Sequence, residues 1–416
     1  MSSTVTVAGR PPDSGSARRD LTLQVARSVA EVEELRGIWE PWQEHPDSVI
    51  ESYLAWFRQD PASRPHVMVV YRGGSPDCLL IGKRLRRAVI SPVARFFRSE
   101  ASLLYFIRGG LLGNASTENC EFMVRAIMDQ LRQGEGEAAI FFGLPVTSPL
   151  YGAALGVPNF FCRDHFPLRT VHRYLVLPDS FEDFLNRLPC KERQNISYRG
   201  RRLLKKFPGK VRLRRFRRER DVQCLLQDAE KIAEKTYQRA MGRGFKPADG
   251  EGLCAEARNG SLRGYVLYLN EKPGAFLVGS WRKGVLYGTF AGHDPEYREF
   301  SLGRYLLLQC VQDCFRENTF MIDPDLGDQD YKRVFANGEW QDAELAIHPP
   351  TFKGFLLNLG RTMFSVTAHS AKTLFASNLL RFLRRSRRDR MLRRVSQSRA
   401  GGGGPARGAA GNGRVR

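Results

Sequence analysis

Hydrophobic and polar residues alternate with the two-residue period of a strand along "LTLQVARS" (21–28), then switch to helical spacing in "VAEVEELRGIWEPW" (29–42). "DSVIESYLAWFRQ" (47–59) predicts a second helix that opens on a capping-type Asp47. "HVMVVYRG" (66–73) and "DCLLIGKRLRRAVI" (77–90) read as two strands joined by a Gly-Gly turn, and "SLLYFIRG" (102–109) as another. "NASTENCEFMVRAIMDQLRQG" (114–134) predicts a helix with a glycine stop, "EAAIFFGLP" (137–145) a strand, and residues 148–155 a short helix.

A similar order then returns. "YLVLP" (174–178) predicts a strand, and residues 179–207 predict helix with a break at Pro189. "KVRLRRF" (210–216) is a strand and "ERDVQCLLQDAEKIAEKTYQRAM" (219–241) a long helix. "LRGYVLYLN", "KPGAFLVGSW" and "GVLYGTFAG" (262–292) form a three-strand meander. A helix (302–317), a strand "TFMIDPD" (319–325), a short helix (329–338) and a last strand "EWQDAELAI" (339–347) complete the order. The two halves share this pattern but little residue identity. The pattern predicts an α+β fold of two tandem modules, 21–168 and 169–349, each with a mixed central sheet flanked by helices. Beyond them, Phe352, Phe355, Leu356, Leu359, Met363 and Phe364 fall at helical spacing, as do Leu374, Phe375, Leu379, Leu380 and Leu383. Residues 350–395 therefore read as amphipathic basic helices, and 1–20 and 396–416 as disordered tails.

Charge sharpens the picture. The net charge of +21 is local: residues 191–220 hold 14 Lys/Arg against two acidic residues, and 381–416 hold 12 Arg against one Asp. Such stretches fit acidic partners (phosphates, a nucleotide-bearing substrate, RNA, an anionic membrane) or simple solvated basic faces. Eight cysteines are scattered. Cys310 and Cys314 lie four apart with no second ligand pair, so no metal site is expected, and free thiols in a reducing compartment fit better. The first 20 residues lack an apolar leader core, and no run of about 18 apolar residues occurs, so a cytoplasmic protein is expected.

The stretch "GTFAGHDPEYREFSLGRYLLLQC" (288–310) is a strand, a polar loop and a helix start. Such a junction leaves backbone N–H groups unpaired, and these favour anions. Read alone, it is either a capped helix or a phosphate loop. Two further stretches accompany it, "KERQNISYRGRRLLKKF" (191–207) and "FMIDPDLGDQDYKRVFANGE" (320–339). With these three, residues 170–348 resemble the Gcn5-related N-acetyltransferase superfamily. More narrowly they resemble its BioF2-like, cellulose-biosynthesis-like tandem branch, relatives of the Fem transferases. The N-terminal half agrees only in pattern.

The resemblance implies roles. Acyl-CoA pyrophosphate would be held by a loop of pattern (Gln/Arg)-x-x-Gly-x-(Gly/Ala), here Arg298 to Gly303, with Ser301 where the first glycine is expected. Ser301 would cap the helix, Leu302 and Gly303 would offer backbone, and Arg298 and Arg304 would add charge. The preceding strand would splay and aim an N–H at the thioester carbonyl; Gly288 and Gly292 would permit a bulge there or serve as turn glycines. Candidate bases are His293, Asp294, Glu296 and Asp323, the last facing the cleft or capping a loop. Tyr331 would protonate a thiolate leaving group and Lys332 bind a substrate phosphate; otherwise Tyr331 packs and Lys332 pairs with Asp328 or Asp330. Arg193, Asn195 and Tyr198 sit on a helix that basic side chains wrap, a surface for a phosphorylated or nucleotide-linked acceptor or for RNA. The C-terminal helices would dock on anionic lipid or pack on the second module.

The expected function is transfer of an acetyl or other acyl group from acyl-CoA to an amine of a sugar, cell-envelope or exopolysaccharide precursor. Acetyl-CoA would be the co-substrate, without a metal, and the second module would carry the chemistry. Fem-like transfer from aminoacyl-tRNA and a non-catalytic module that binds precursors or RNA are the alternatives.

Overall fold

The computed structural model describes residues 21–88, 100–236, 239, 244–246, 250–325 and 330–374. The two predicted tails, Asp328 and the part of the predicted basic helices beyond residue 374 lie outside the described residues.

Strands β1 (Leu21–Ala26), β2 (Arg64–Arg72), β3 (Ser75–Ala88) and β4 (Glu100–Gly113) form an antiparallel meander. Helices α1 (Val29–Glu34), α2 (Arg36–Trp39) and α3 (Ile50–Gln59) lie between β1 and β2. A crossover through α4 (Thr117–Arg132) brings β5 (Ala138–Pro145) parallel to β4, and α5 (Pro149–Gly156) leads to β6 (Leu168–Val176). After linking helices α6 (Phe181–Arg187) and α7 (Cys190–Lys206), the order repeats. Strand β7 (Val211–Phe216) is followed by α8 (Glu219–Ala233) and α9 (Gly250–Arg258). Strands β8 (Leu262–Leu269), β9 (Lys272–Arg282) and β10 (Val285–His293) extend the second meander. Then α10 (Leu302–Arg316) crosses to β11 (Met321–Asp323), parallel to β10, and α11 (Asp330–Phe335) leads to β12 (Gly338–Ile347). A final described helix is α12 (Phe352–Leu374).

The two expected sheets are one. Twelve strands run in the order β1-β2-β3-β4-β5-β12-β6-β11-β10-β9-β8-β7. The last strand of each repeat has crossed to the other: β6 pairs with β11, β12 pairs with β5, and the two pair with each other. The cores follow the exchange. Leu345 and Ile347 of β12 sit in the cluster formed by β4, β5 and α4, while Leu175 of β6 sits in the cluster beneath α10. Burying such side chains is worth roughly 1.5–3 kcal/mol each, and whole domains are stable by only about 5–15 kcal/mol. Each half therefore depends on the other's strand. The boundary read at 168/169 falls where β6 begins, a strand that ends the first repeat in order and serves the second in pairing.

One local expectation is corrected. Asp47 does not cap α3, whose N-cap is Val49 with no side-chain bond. Asp47 lies in a 3-10 turn, Pro46–Ser48, and its N–H donates to His45 Nδ1 (3.1 Å).

At the exchange, Gly338 faces the ring of Tyr174, which a Cβ would approach to 2.2 Å. Gly338→Ala is expected to destabilise the protein by roughly 1–3 kcal/mol through overpacking. Urea unfolding checks this; an unchanged midpoint would show that the β6–β12 contact is loose.

Candidate active site

The parallel strands β10 and β11 pair over only three positions, ending at Tyr287 opposite Asp323. Pro324 has no N–H to extend the ladder. Beyond that point β10 runs on to His293 beside β9, with a register shift between Gly288 and Phe290. The shift is a bulge within the stretch where the sequence left bulge and turn open. A wedge thus opens between two parallel strands, with Asp323 at its apex.

The loop at the far end of β10 is built differently from the simple capped helix. Ser301 adopts a left-handed conformation (φ 51°, ψ 50°) and makes no capping bond through its side chain. Its Oγ accepts from Arg199 of α7. The left-handed backbone explains why a glycine suits this position and why serine is strained there. The N–H groups of Arg304 and Tyr305 close on the Ser301 carbonyl (2.9 and 3.2 Å), so the helix starts on main-chain bonds. Gly303 stays open: a Cβ there would meet only His293 Nδ1, at 3.5 Å.

Helix α7 lies across this loop. Arg304 pairs with Glu192 (2.5 Å) and Arg202 with Glu299 (2.8 Å), and Asn195, Arg199, Ser301 and Arg304 line one small gap. The basic helix and the loop, read as separate features of the sequence, are one place. Of the predicted acceptor residues, Asn195 is at the loop. Arg193 bonds Asn186 (3.0 Å), and Tyr198 is exposed beside Arg202.

The other predicted residues spread along the wedge. His293 ends β10, exposed next to Gly303. Asp294 is buried, ion-paired with Lys235, and caps the turn Pro295–Phe300 by accepting from the Glu296 N–H (3.0 Å). Glu296 and Arg298 are exposed on that turn. Tyr331 lines a small gap with Leu307, Val311 and Pro324. Lys332 is buried and its Nζ donates to the Asp325 carbonyl (2.6 Å), which ties it to the chain after β11 and away from the surface.

Asp323 leads to residues that sequence reading missed. Its Oδ1 lies 2.7 Å from His172 Nε2 and accepts from the Asp325 N–H (2.8 Å). His172 Nδ1 lies 2.7 Å from Asp342 Oδ2, and its ring stacks on Trp340 at 4.1 Å. All three ionisable groups are buried. Burial alone would push the His172 pKa down; hydrogen bonds to the two carboxylates outweigh it and raise it above 6.5. Burial likewise opposes ionisation of Asp323, but His172 and the Asp325 N–H hold its pKa below 3.8. His172 is thus bonded at both ring nitrogens to carboxylates, one from β11 and one from β12.

This trio borders a cavity of about 250 Å³, bounded by the ends of β4 and β5 and also lined by His45, Arg108 and Ser148. Arg108 pairs with Asp325 and with Asp47 (3.3 Å), and His45 packs edge-on against Tyr287 (5.0 Å). The cavity is thus walled by the first repeat and floored by the second. The equivalent helix start in the first repeat has a different character. There Asp77 accepts from Asn119 (2.9 Å) and Arg72 (2.8 Å) beside Ser116, which caps α4; a carboxylate occupies the space an anion would need. Among the described residues, no group of three or more His, Cys, Asp or Glu is placed to hold a metal.

Residues 191–333 match the family of acetyltransferase (GNAT) domains, which bears out the resemblance read in the sequence. This segment runs from α7 into α11 and contains both the wedge and the loop; it is an acyltransferase domain of that family, whose members use acyl-CoA. No curated protein sequence matches the chain. Among solved structures it is similar to FemX at 10% identity, over 76% of this chain and 95% of that one, with a TM-score of 0.49. It is similar to the C-terminal domain of a putative lysylphosphatidylglycerol synthetase from Agrobacterium fabrum at 11% identity, over 82% and 95%, with a TM-score of 0.48. A tandem GNAT protein from the clavulanic acid biosynthesis pathway shares 13% identity over 79% and 99%, with a TM-score of 0.46.

The raised His172 pKa gives stability that is whole below pH 6.5 and is lost as pH rises through the higher folded value. Asp323, lowered, contributes above pH 3.8 and loses it as pH falls through its folded value. The melting-temperature advantage of wild type over His172→Gln is expected to shrink as pH rises above 6.5. A pH-independent difference would show that His172 is not held as the cation.

Proposed function

We propose that the protein transfers an acyl group, acetyl from acetyl-CoA in the first instance, to an amine carried by a sugar or cell-envelope precursor. The observation that carries this reading is the wedge: two parallel strands part at Tyr287 and Asp323, inside the segment that matches acetyltransferase domains, and Asp323 borders the central cavity.

The loop residues fit a diphosphate in outline. The first turn of α10 offers main-chain N–H groups, Gly303 has no side chain to block approach, and Arg298 is exposed beside it. Six residue steps of extended chain lead from Tyr287 to His293, roughly 20 Å at the rise of a strand. An extended pantetheine-type arm would span that distance. When bound, the donor supplies an activated thioester.

The chain's own groups would do the rest. An amine arrives as an ammonium, and the Asp323 carboxylate, which lines the cavity, would attract it. The amine must lose a proton before it attacks. Asp323 would take that proton, with His172 and Asp342 spreading the charge. A main-chain N–H at the β10 bulge would hold the oxyanion, and Tyr331 would return a proton to the leaving thiolate. The modules 21–168 and 169–349 would divide the work, the first shaping the acceptor cavity and the second binding the donor. Asn195, at the loop, and exposed Tyr198 would serve an anionic part of the acceptor and His293 the donor end, whereas Arg193 and Lys332 are engaged by Asn186 and the Asp325 carbonyl.

A second reading has its own observation. Arg304 and Arg199 are engaged by Glu192 and Ser301, so the loop's own cations are partly spent, whereas Lys191, Arg201, Lys205 and Lys206 are exposed on α7. Such a surface suits aminoacyl-tRNA as donor.

Calorimetry with acetyl-CoA separates the two. Wild type is expected to bind in the micromolar range, and Gly303→Glu, which sets a carboxylate where the diphosphate would lie, to bind at least about tenfold more weakly. Asp323→Asn should keep binding while turnover with amine acceptors falls about 10²–10⁴-fold. Absence of acetyl-CoA binding by the wild type would overturn the first reading and turn the test to charged tRNA. Failure of both donors would leave a non-catalytic binding module.

A further inference from the structure

Helix α12 is turned inside out. Gly354, Asn358, Arg361 and Ser365 lie on its protein-facing side. Phe352, Phe355, Leu356, Leu359, Met363 and Val366 face solvent, each 39–78% exposed. The inward face is held by polar bonds. Asn358 Nδ2 donates to the carbonyls of Phe161 and Arg163 (both 2.9 Å). Arg361 donates to Asp164 Oδ2 (2.8 Å) and to the Glu344 carbonyl (2.9 Å). The Asp164 carboxylate is fully buried. Rotating the helix to hide its apolar side would break these bonds and strand a buried charge, so the orientation is fixed.

The loop before β6 extends the apolar surface. Phe160 and Phe161 are 61% and 60% exposed, and Phe161 lies 6.1 Å from Phe355. A contiguous apolar face of this kind is unusual on a soluble protein and marks an interaction surface. At its rim the Arg163 guanidinium lies over the Phe160 ring (5.5 Å), and exposed Lys353 is paired with Glu137 (2.8 Å). The sequence that continues from α12 holds 12 arginines and one aspartate in residues 381–416.

We propose that this face docks on an anionic lipid surface, with the apolar side chains of α12 and Phe160–Phe161 entering the headgroup boundary and the following arginines bound to the lipid charge. Stable docking of a non-spanning protein takes two signals, commonly an apolar insertion and a polybasic segment; here the two are adjacent in the chain. No helix among the described residues is long and apolar enough to cross a membrane, so the contact is interfacial. The inference rests on this surface and not on the acyl-transfer reading.

The test is flotation of the full chain with vesicles of phosphatidylcholine alone and of phosphatidylcholine with about one third phosphatidylglycerol. Binding to the anionic vesicles is expected at least about tenfold tighter than to the neutral ones, and weaker at high salt. Leu359→Glu/Met363→Glu should reduce it at least about tenfold, and so should the independent pair Phe160→Ser/Phe352→Ser, at the most exposed sites. Circular dichroism confirms that either variant is folded. Three results would overturn the proposal: no binding of wild type to anionic vesicles; binding unchanged in folded variants; or a solution dimer that the variants convert to monomer, which would make the face an interface between two copies. Binding by a chain ending at residue 374 but not by the full chain would also overturn it, because the C-terminal segment would then be the face's occupant.

Discussion

The pairing of β6 with β12 is the constraint on which the rest depends. These strands end the two repeats, and each completes the other repeat's sheet. Without that exchange there would be two edges of unpaired N–H and C=O groups, a state proteins avoid. With it, the halves become one sheet, and each apolar core receives side chains from both.

The exchange also makes the candidate site. His172 belongs to β6, Trp340 and Asp342 to β12, and Asp323 to β11, so the trio forms only where the crossed strands lie side by side. A buried histidine bonded between two carboxylates is a costly arrangement. Its desolvation is offset only by short, well-directed bonds to both ring nitrogens. Breaking one bond would leave an uncompensated charge in the core, so the trio fixes the register of three strands while it sets the charge of the cavity.

The two helix starts after the fourth strands show how one architecture has been used twice. In the second repeat the loop presents backbone, and strain at Ser301 is held by Arg199 from an overlying helix. In the first repeat the space is filled by Asp77 and Asn119. A similar division appears at α12, whose polar side is spent on the protein and whose apolar side is exposed.

Much of this was legible in the chain. Period-two and helical patterns gave the strands and helices and their repeated order, because local spacing decides which face of an element is apolar. Three stretches gave the acyltransferase resemblance, and the apolar ending of "TFMID" left Asp323 either facing a cleft or capping a loop; it borders the cavity and also accepts from the Asp325 N–H. The tertiary structure alone decided the rest. His172 lies 151 residues from Asp323 and 170 from Asp342, and no local pattern couples positions so distant. The pattern starts the strand "YLVLP" at residue 174, which leaves His172 outside it, whereas β6 begins at Leu168 and buries His172. The spacing of Phe352 to Met363 gave an amphipathic helix, but which side faces the protein was settled by Asn358 and Arg361 finding partners on a distant loop and strand. Sequence periodicity determines that a face exists; what it meets depends on contacts made only when the whole sheet has closed.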